Sequence, residues 1–147
     1  MSSLDDFREI TQRDVPLAPF TWFRVGGPAQ YLIQPRHQDE LIAVVRMCHE
    51  QGIPLRILGG GSNLLIREQG VTGVVIRLVN EAFSQIDVTG NTVRAQAGAL
   101  LSQLISRTVK ASLAGLETLV GIPGTLGGAL HGNAGGHSKV VTQDARR

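Results

Sequence analysis

Hydrophobic and polar positions along this chain change period several times, and each change marks an element. Tyr31-Leu32-Ile33-Gln34 is a short apolar run closed by Pro35 and predicts a strand. Leu41, Val44, Val45 and Cys48 then recur at the i, i+3, i+4, i+7 spacing of an amphipathic helix. Its end signals agree: His37 sits in the capping position, His49 in the last turn, Gly52 suits the left-handed C′ site and Pro54 lies just beyond. Leu55-Arg56-Ile57-Leu58 follows as a strand, so residues 31–58 predict a strand, helix, strand unit whose connection favours a parallel pair. Val74 to Leu78 supplies a further strand, and Ser84 to Val88 with Thr92 to Ala97 flank Thr89-Gly90-Asn91 as an antiparallel hairpin. A second amphipathic helix is predicted from Ala99 to Ala111, with Leu101, Leu104, Ile105 and Val109 on its buried stripe. Residues 1–20, polar and punctuated by Pro16 and Pro19, predict an irregular or short helical lead-in. The expected class is α+β with mixed sheets.

Composition narrows the function. The 147 residues are 42% hydrophobic, enough for a real core. Lys and Arg number 14 against 12 Asp and Glu, scattered along the chain, and aromatics are only 4%. Neither a basic face nor a stacking platform is therefore expected, which argues against nucleic-acid binding. Met1 to Ile10 carry acids early and lack a basic-then-apolar leader, and no stretch approaches the ~18 apolar residues of a membrane span. The expectation is a cytoplasmic protein without membrane contact. Cys48 is the sole cysteine, which excludes an internal disulfide; with no clustered His it suggests no metal site and suits a small buried hydrophobe.

The outlying number is 18 glycines, most of them in clusters. Leu58-Gly59-Gly60-Gly61-Ser62-Asn63-Leu64 is a strand end followed by residues whose backbone N–H groups can converge on an anion as a nest. No Lys-Ser or Lys-Thr follows as in a P-loop, and the spacing is not Gly-x-Gly-x-x-Gly, so the common nucleotide fingerprints are absent. A tight turn is the alternative reading of this triplet. Gly121-Ile122-Pro123-Gly124-Thr125-Leu126-Gly127-Gly128-Ala129, then Asn133-Ala134-Gly135, offer uncharged, close-approaching main chain against which a flat apolar ligand could lie, with Asn133 as a polar contact. Helix packing and tight turns would use the same glycines. His131 and His137 are the candidates for acid or base work, and Arg24 for a phosphate contact or a structural ion pair.

Taken in order, Thr21-Trp22-Phe23-Arg24-Val25-Gly26-Gly27-Pro28-Ala29, then Leu58 to Ile66, then Gly121 to Ala129 with Asn133-Ala134-Gly135, closely resemble the UDP-N-acetylenolpyruvoylglucosamine reductases. The resemblance runs from Thr21 to the end and includes Gly73 to Leu78 and Ala97-Gly98-Ala99. It implies an FAD-binding fold of two α+β subdomains of the p-cresol methylhydroxylase and vanillyl-alcohol oxidase type, here residues 21–79 and a partial second subdomain over 80–147. It implies that Gly59, Gly60, Gly61, Ser62, Asn63 and Leu64 hold the FAD diphosphate. It places Ala97, Gly98, Gly121, Ile122, Pro123, Gly124, Thr125, Gly127, Gly128, Ala129, Asn133 and Ala134 along the flavin side. The family uses NADPH and FAD to reduce the enolpyruvyl ether of UDP-N-acetylglucosamine to UDP-N-acetylmuramate, for peptidoglycan precursor synthesis. Its Ser proton donor and the assisting Glu and Arg belong to segments after the flavin-side glycines, so no catalytic residue is carried over. Val140 to Arg147 read as the approach to another strand, with the rest of the second subdomain and a substrate domain missing. A fragment inactive alone and open to self-association is expected; a non-catalytic flavin or nucleotide module working with another chain, or a different FAD-linked oxidase, are the competing readings.

Overall fold

A computed structural model describes residues 3–136, 139 and 140 of the chain. They divide into two compact units, Met1–Ala82 and Phe83–Arg147.

The first unit is built on four strands: β1 (Thr11–Pro16), β2 (Pro28–Ile33), β3 (Leu55–Ile57) and β4 (Val71–Ile76), in the order β1-β2-β4-β3. β2 and β3 are each parallel to β4, and β1 is antiparallel to β2, so this sheet is itself mixed. The parallel pair expected between residues 31–34 and 55–58 is not formed, because β4 stands between them. The physical reason is burial: Gly73, Val74, Val75 and Ile76 are all buried, and a strand apolar on both faces belongs at the centre of a parallel sheet. Alternation along β4 then divides the core. Val74 and Ile76 pack with Ile33, Val44, Met47 and Cys48, whereas Val75 packs with Leu17, Ala29, Leu32 and Leu58. Each such Val or Ile contributes about 1.5–3 kcal/mol by leaving water.

Helix α1 (Gln38–Glu50) crosses between β2 and β3. The His37 side chain caps it, accepting from the Glu40 N–H at 3.5 Å, and Gly52 adopts φ +65 just past its end. The buried stripe is Val44, Met47 and Cys48, rotated from the expected one: Val45 is 42% exposed, and Met47 takes its place in the core. The lead-in holds a short helix, one of its two expected forms, as a 3-10 helix over Leu4–Ile10, but it then runs into strand β1, which was not expected. Asp14 takes φ +50 between the Arg13–Tyr31 and Val15–Ala29 pairs without breaking the register of β1 on β2, whereas the β2–β4 register shifts between Ala29 and Tyr31.

The second unit opens with the hairpin β5 (Ile86–Thr89) and β6 (Thr92–Ala95), turning at Gly90-Asn91, a pair separate from the four-stranded sheet. Helix α2 (Leu101–Lys110) buries Leu101, Leu104, Ile105 and Thr108. Val109, expected on this stripe, is 56% exposed; Thr108 is buried instead because its hydroxyl donates to the Ile105 carbonyl at 2.8 Å. Arg107 Nη1 donates to the Ile86 carbonyl at 2.7 Å and ties helix to hairpin. A 3-10 turn at Glu117–Leu119, helix α3 (Leu126–His131) and the short antiparallel pair β7 (Gly135–Gly136) and β8 (Lys139–Val140) follow among the described residues. The rest of the strand expected from Val140 lies outside the described residues. The core is Ile86, Ala99, Leu101, Leu104, Ile105, Leu119 and Ala129.

Candidate functional site

In the first unit the glycine loop opens where β3 ends. Leu58 N–H donates to the Ile76 carbonyl at 2.8 Å, one step beyond the β3 ladder, and Gly59 to Leu64 then leave the sheet at the carboxyl end of its parallel strands. That end of an open parallel sheet is where such folds take ligands. Gly61 fixes the loop: it sits at φ +64, and a Cβ there would meet the Phe20 carbonyl oxygen at 2.0 Å, so no side chain fits. Trp22 N–H donates to the Gly61 carbonyl at 3.1 Å from the other side of the contact. The 18–25 turn that makes this contact is held by the buried Thr21 hydroxyl, 3.2 Å from the carbonyl oxygens of both Ala18 and Val25. Among the described residues, the N–H groups of Gly59 and Gly60 donate to no backbone carbonyl. Asn63 and Leu64 are exposed.

Beside the loop is an open hollow of about 450 Å³ lined by Phe20, Thr21, Trp22, Arg24, Gly60 and Arg77. Arg77 follows β4 directly, its N–H donating to the Ile33 carbonyl at 3.0 Å. Its guanidinium carbon lies 4.1 Å over the Phe20 ring, and its Nε is buried without a hydrogen-bond partner. Burial pushes this guanidinium below its ordinary pKa. The sequence places Arg77 inside the expected strand Val74 to Leu78; a charged residue directly after the apolar run Val74 to Ile76 is the signal that was available.

In the second unit the flavin-side candidates form two laced segments. Gly127 N–H donates to the Ala97 carbonyl and Leu126 N–H to that of Ala99, both at 2.8 Å, while Leu101 N–H reaches the Gly124 carbonyl at 3.0 Å. Leu100 and Thr125 form an antiparallel bridge between the same stretches. Gly98 N–H, in turn, donates to the Phe83 carbonyl at 2.8 Å. A Cβ on Gly127 would stand 3.0 Å from the Ala97 Cβ and carbonyl oxygen. Thr125 caps α3 by accepting from the Gly128 N–H at 3.3 Å. Gly121 and Gly124 hold φ +90 and +107, and Pro123 between them is exposed. Ile122 and Ala134 pack against the core and Ala129 is buried in it, so the side chains of these three belong to the core. Asn133 turns the chain at φ +44, after which Ala134 N–H donates back to Ala129 at 2.8 Å. His131 is exposed in the last turn of α3, and His137 lies outside the described residues. Among the described residues no group of three or more His, Cys, Asp or Glu could hold a metal ion. Cys48 is buried among core side chains, which raises its thiol pKa and keeps it protonated. No helix of the described residues is long and apolar enough to cross a membrane.

Residues 29–146 match the FAD binding domain family. The chain belongs to it. A curated UDP-N-acetylenolpyruvoylglucosamine reductase of Paramagnetospirillum magneticum is 53% identical over 137 residues, covering 88% of this chain and 44% of that protein. The crystal structure of the Thermus caldophilus UDP-N-acetylenolpyruvylglucosamine reductase is 37% identical with a TM-score of 0.71, over 88% of this chain and 44% of that one. A cholesterol oxidase from B. sterolicum, 20% identical with a TM-score of 0.60 over 86% of this chain and 24% of that one, shares the fold alone. The α+β class with mixed sheets is that of this family's fold. The chain spans less than half the length of the curated reductases named here, 44% in the first case.

Proposed function

We propose that this chain is the FAD-binding portion of a UDP-N-acetylenolpyruvoylglucosamine reductase, working in the cytoplasm on a nucleotide-sugar precursor of peptidoglycan. The observation that carries the reading is the pinned loop: among the described residues the Gly59 and Gly60 N–H groups donate to no backbone carbonyl, while Gly61 is packed so closely that only glycine fits. Such backbone fits a diphosphate, because its donors approach the anion without side chains in the way. Gly59 to Leu64 would hold the diphosphate, and Ala97-Gly98, Gly121 to Thr125, Gly127 to Ala129 and Asn133-Ala134 would form the wall for the flavin ring. In this reading the two compact units correspond to the two subdomains of the cofactor fold. When bound, FAD supplies the means of carrying hydride from NADPH to the enolpyruvyl double bond of the UDP-sugar. This chain's own part is to bind and orient; a proton donor for the substrate carbon is not assigned to any of its residues.

The test is the absorbance spectrum of the purified chain before and after addition of FAD and removal of the excess. Retained flavin bands are expected, and their absence under saturating FAD would sink the claim that these residues suffice to hold the cofactor. Trp22 and Phe23, 67% and 65% exposed beside the loop, with Leu65 at 78%, also supply an apolar surface for self-association. Light scattering that gave a single-chain mass at every concentration would remove that part.

A further inference from the structure

We propose that Arg77 is the fixed cation of the diphosphate subsite, the charge that the glycine loop cannot provide. The proposal rests on the FAD reading and adds a residue to it.

A dinucleotide's diphosphate brings about two negative charges at neutral pH. The N–H groups of Gly59 and Gly60 offer dipoles but no net charge, and charge-assisted bonds are the stronger ones. The hollow beside Gly60 contains two arginines, Arg24 and Arg77. They differ in how they are held. Arg24 is an exposed side chain on a turn, whereas Arg77 follows β4 directly, is anchored by its N–H on the Ile33 carbonyl, and carries its guanidinium carbon over the Phe20 ring at 4.1 Å. Stacking occupies the face of a guanidinium and leaves its in-plane donors free, the geometry that grips phosphate oxygens.

Among the described residues no acceptor meets the buried Nε of Arg77. Nor, among them, does any carboxylate lie within ion-pair distance of Arg77. Arg36, in the same unit, shows the usual outcome: its guanidinium reaches Glu40 at 2.6 Å and Glu9 at 3.3 Å. Arg77 as a whole is half-buried, but its Nε is shielded from water and unpaired, and an anion at the hollow would complete it. The position of Arg77, at the carboxyl end of β4 and lining the same hollow as Gly60, is where that anion would sit.

Calorimetric titration of the full chain and of its Arg77→Gln, Arg77→Lys and Arg24→Gln variants with FAD, ADP, inorganic pyrophosphate and riboflavin separates the possibilities. Arg77→Gln is expected to weaken FAD, ADP and pyrophosphate by about tenfold or more and to leave riboflavin, which has no phosphate, unchanged. Arg77→Lys keeps the charge without the planar fork and should lose only part of this, and Arg24→Gln less still. Thermal melts of each variant guard against misfolding; should Arg77→Gln unfold, Arg77→Lys carries the same comparison. Unchanged pyrophosphate and FAD affinity in the Arg77 variants overturns the proposal while leaving the FAD reading intact, and so does an equal loss for all four ligands. Pyrophosphate binding that depends on Arg77 without FAD binding would overturn the FAD reading and keep the subsite. A chain that binds none of the four overturns both.

Discussion

Gly61, buried at φ +64 in the 59–64 loop, has the Phe20 carbonyl in the place a side chain would take; Gly121, at φ +90 in the second unit, has nothing within 4 Å of that place. Both need a left-handed backbone, but only the first also needs the space. Gly127 differs again, because it lies inside α3 and is crowded only by Ala97, at 3.0 Å. Two segments of similar composition therefore use glycine for separate reasons: close approach of two backbones in one, and a turn followed by helix packing in the other. A glycine-rich motif is a statement about several constraints at once, and the constraints can be measured one at a time.

The sharpest break of this comparison is Gly61→Ala. Left-handed strain and a Cβ driven into a backbone oxygen together should destabilise the first unit by about 3 kcal/mol or more, read as a lower urea midpoint, with loss of any bound flavin. A cost under about 1 kcal/mol would mean that the loop is free to move and that the distinction from Gly121 is empty. Gly121→Ala comes next, with about 1 kcal/mol expected from backbone strain alone, since the space beside it is open. Gly127→Ala should be nearly neutral in stability, because about 1 kcal/mol of helix propensity offsets the crowding against Ala97. Adding Ala97→Gly to Gly127→Ala should then return a coupling of about 0.5 kcal/mol, the smallest effect and the most direct reading of that contact. Purely additive behaviour would show that the 97–101 and 124–127 stretches relax independently.

Local chemistry made much of this legible from the residues. The caps of α1, with His37 before and Gly52 after, follow from residue type alone, as does the hairpin around Gly90-Asn91. Strand β1 was not legible because Thr11 to Pro16 carries three exposed polar residues and no clean alternation; its extended shape comes from pairing with β2. One member of the α1 stripe was misassigned, Val45 for Met47, because both are apolar and which one faces inward is decided by the sheet beneath. The same limit applies to the site. Glycine clusters announce themselves in composition, whereas Arg77 is marked in the sequence only by following the apolar run Val74 to Ile76; its Phe20 contact and its unbonded Nε are properties of the fold around it.

The strand order β1-β2-β4-β3 has a consequence in time as well as in space. As the chain leaves the ribosome, β1 and β2 can close on each other at once, but β3 has β4 as its sheet neighbour and must wait until residues 71–76 have been synthesised. Until then the β2 edge that β4 will occupy also stays open, and the apolar side chains of α1 lack half of their floor. A nascent chain paused between Ile57 and Val71 would thus be a good client for holdase chaperones and prone to pair with its neighbours on a polysome. Insertion of β4 then closes both edges in one event, which should make the folding of this unit abrupt rather than stepwise.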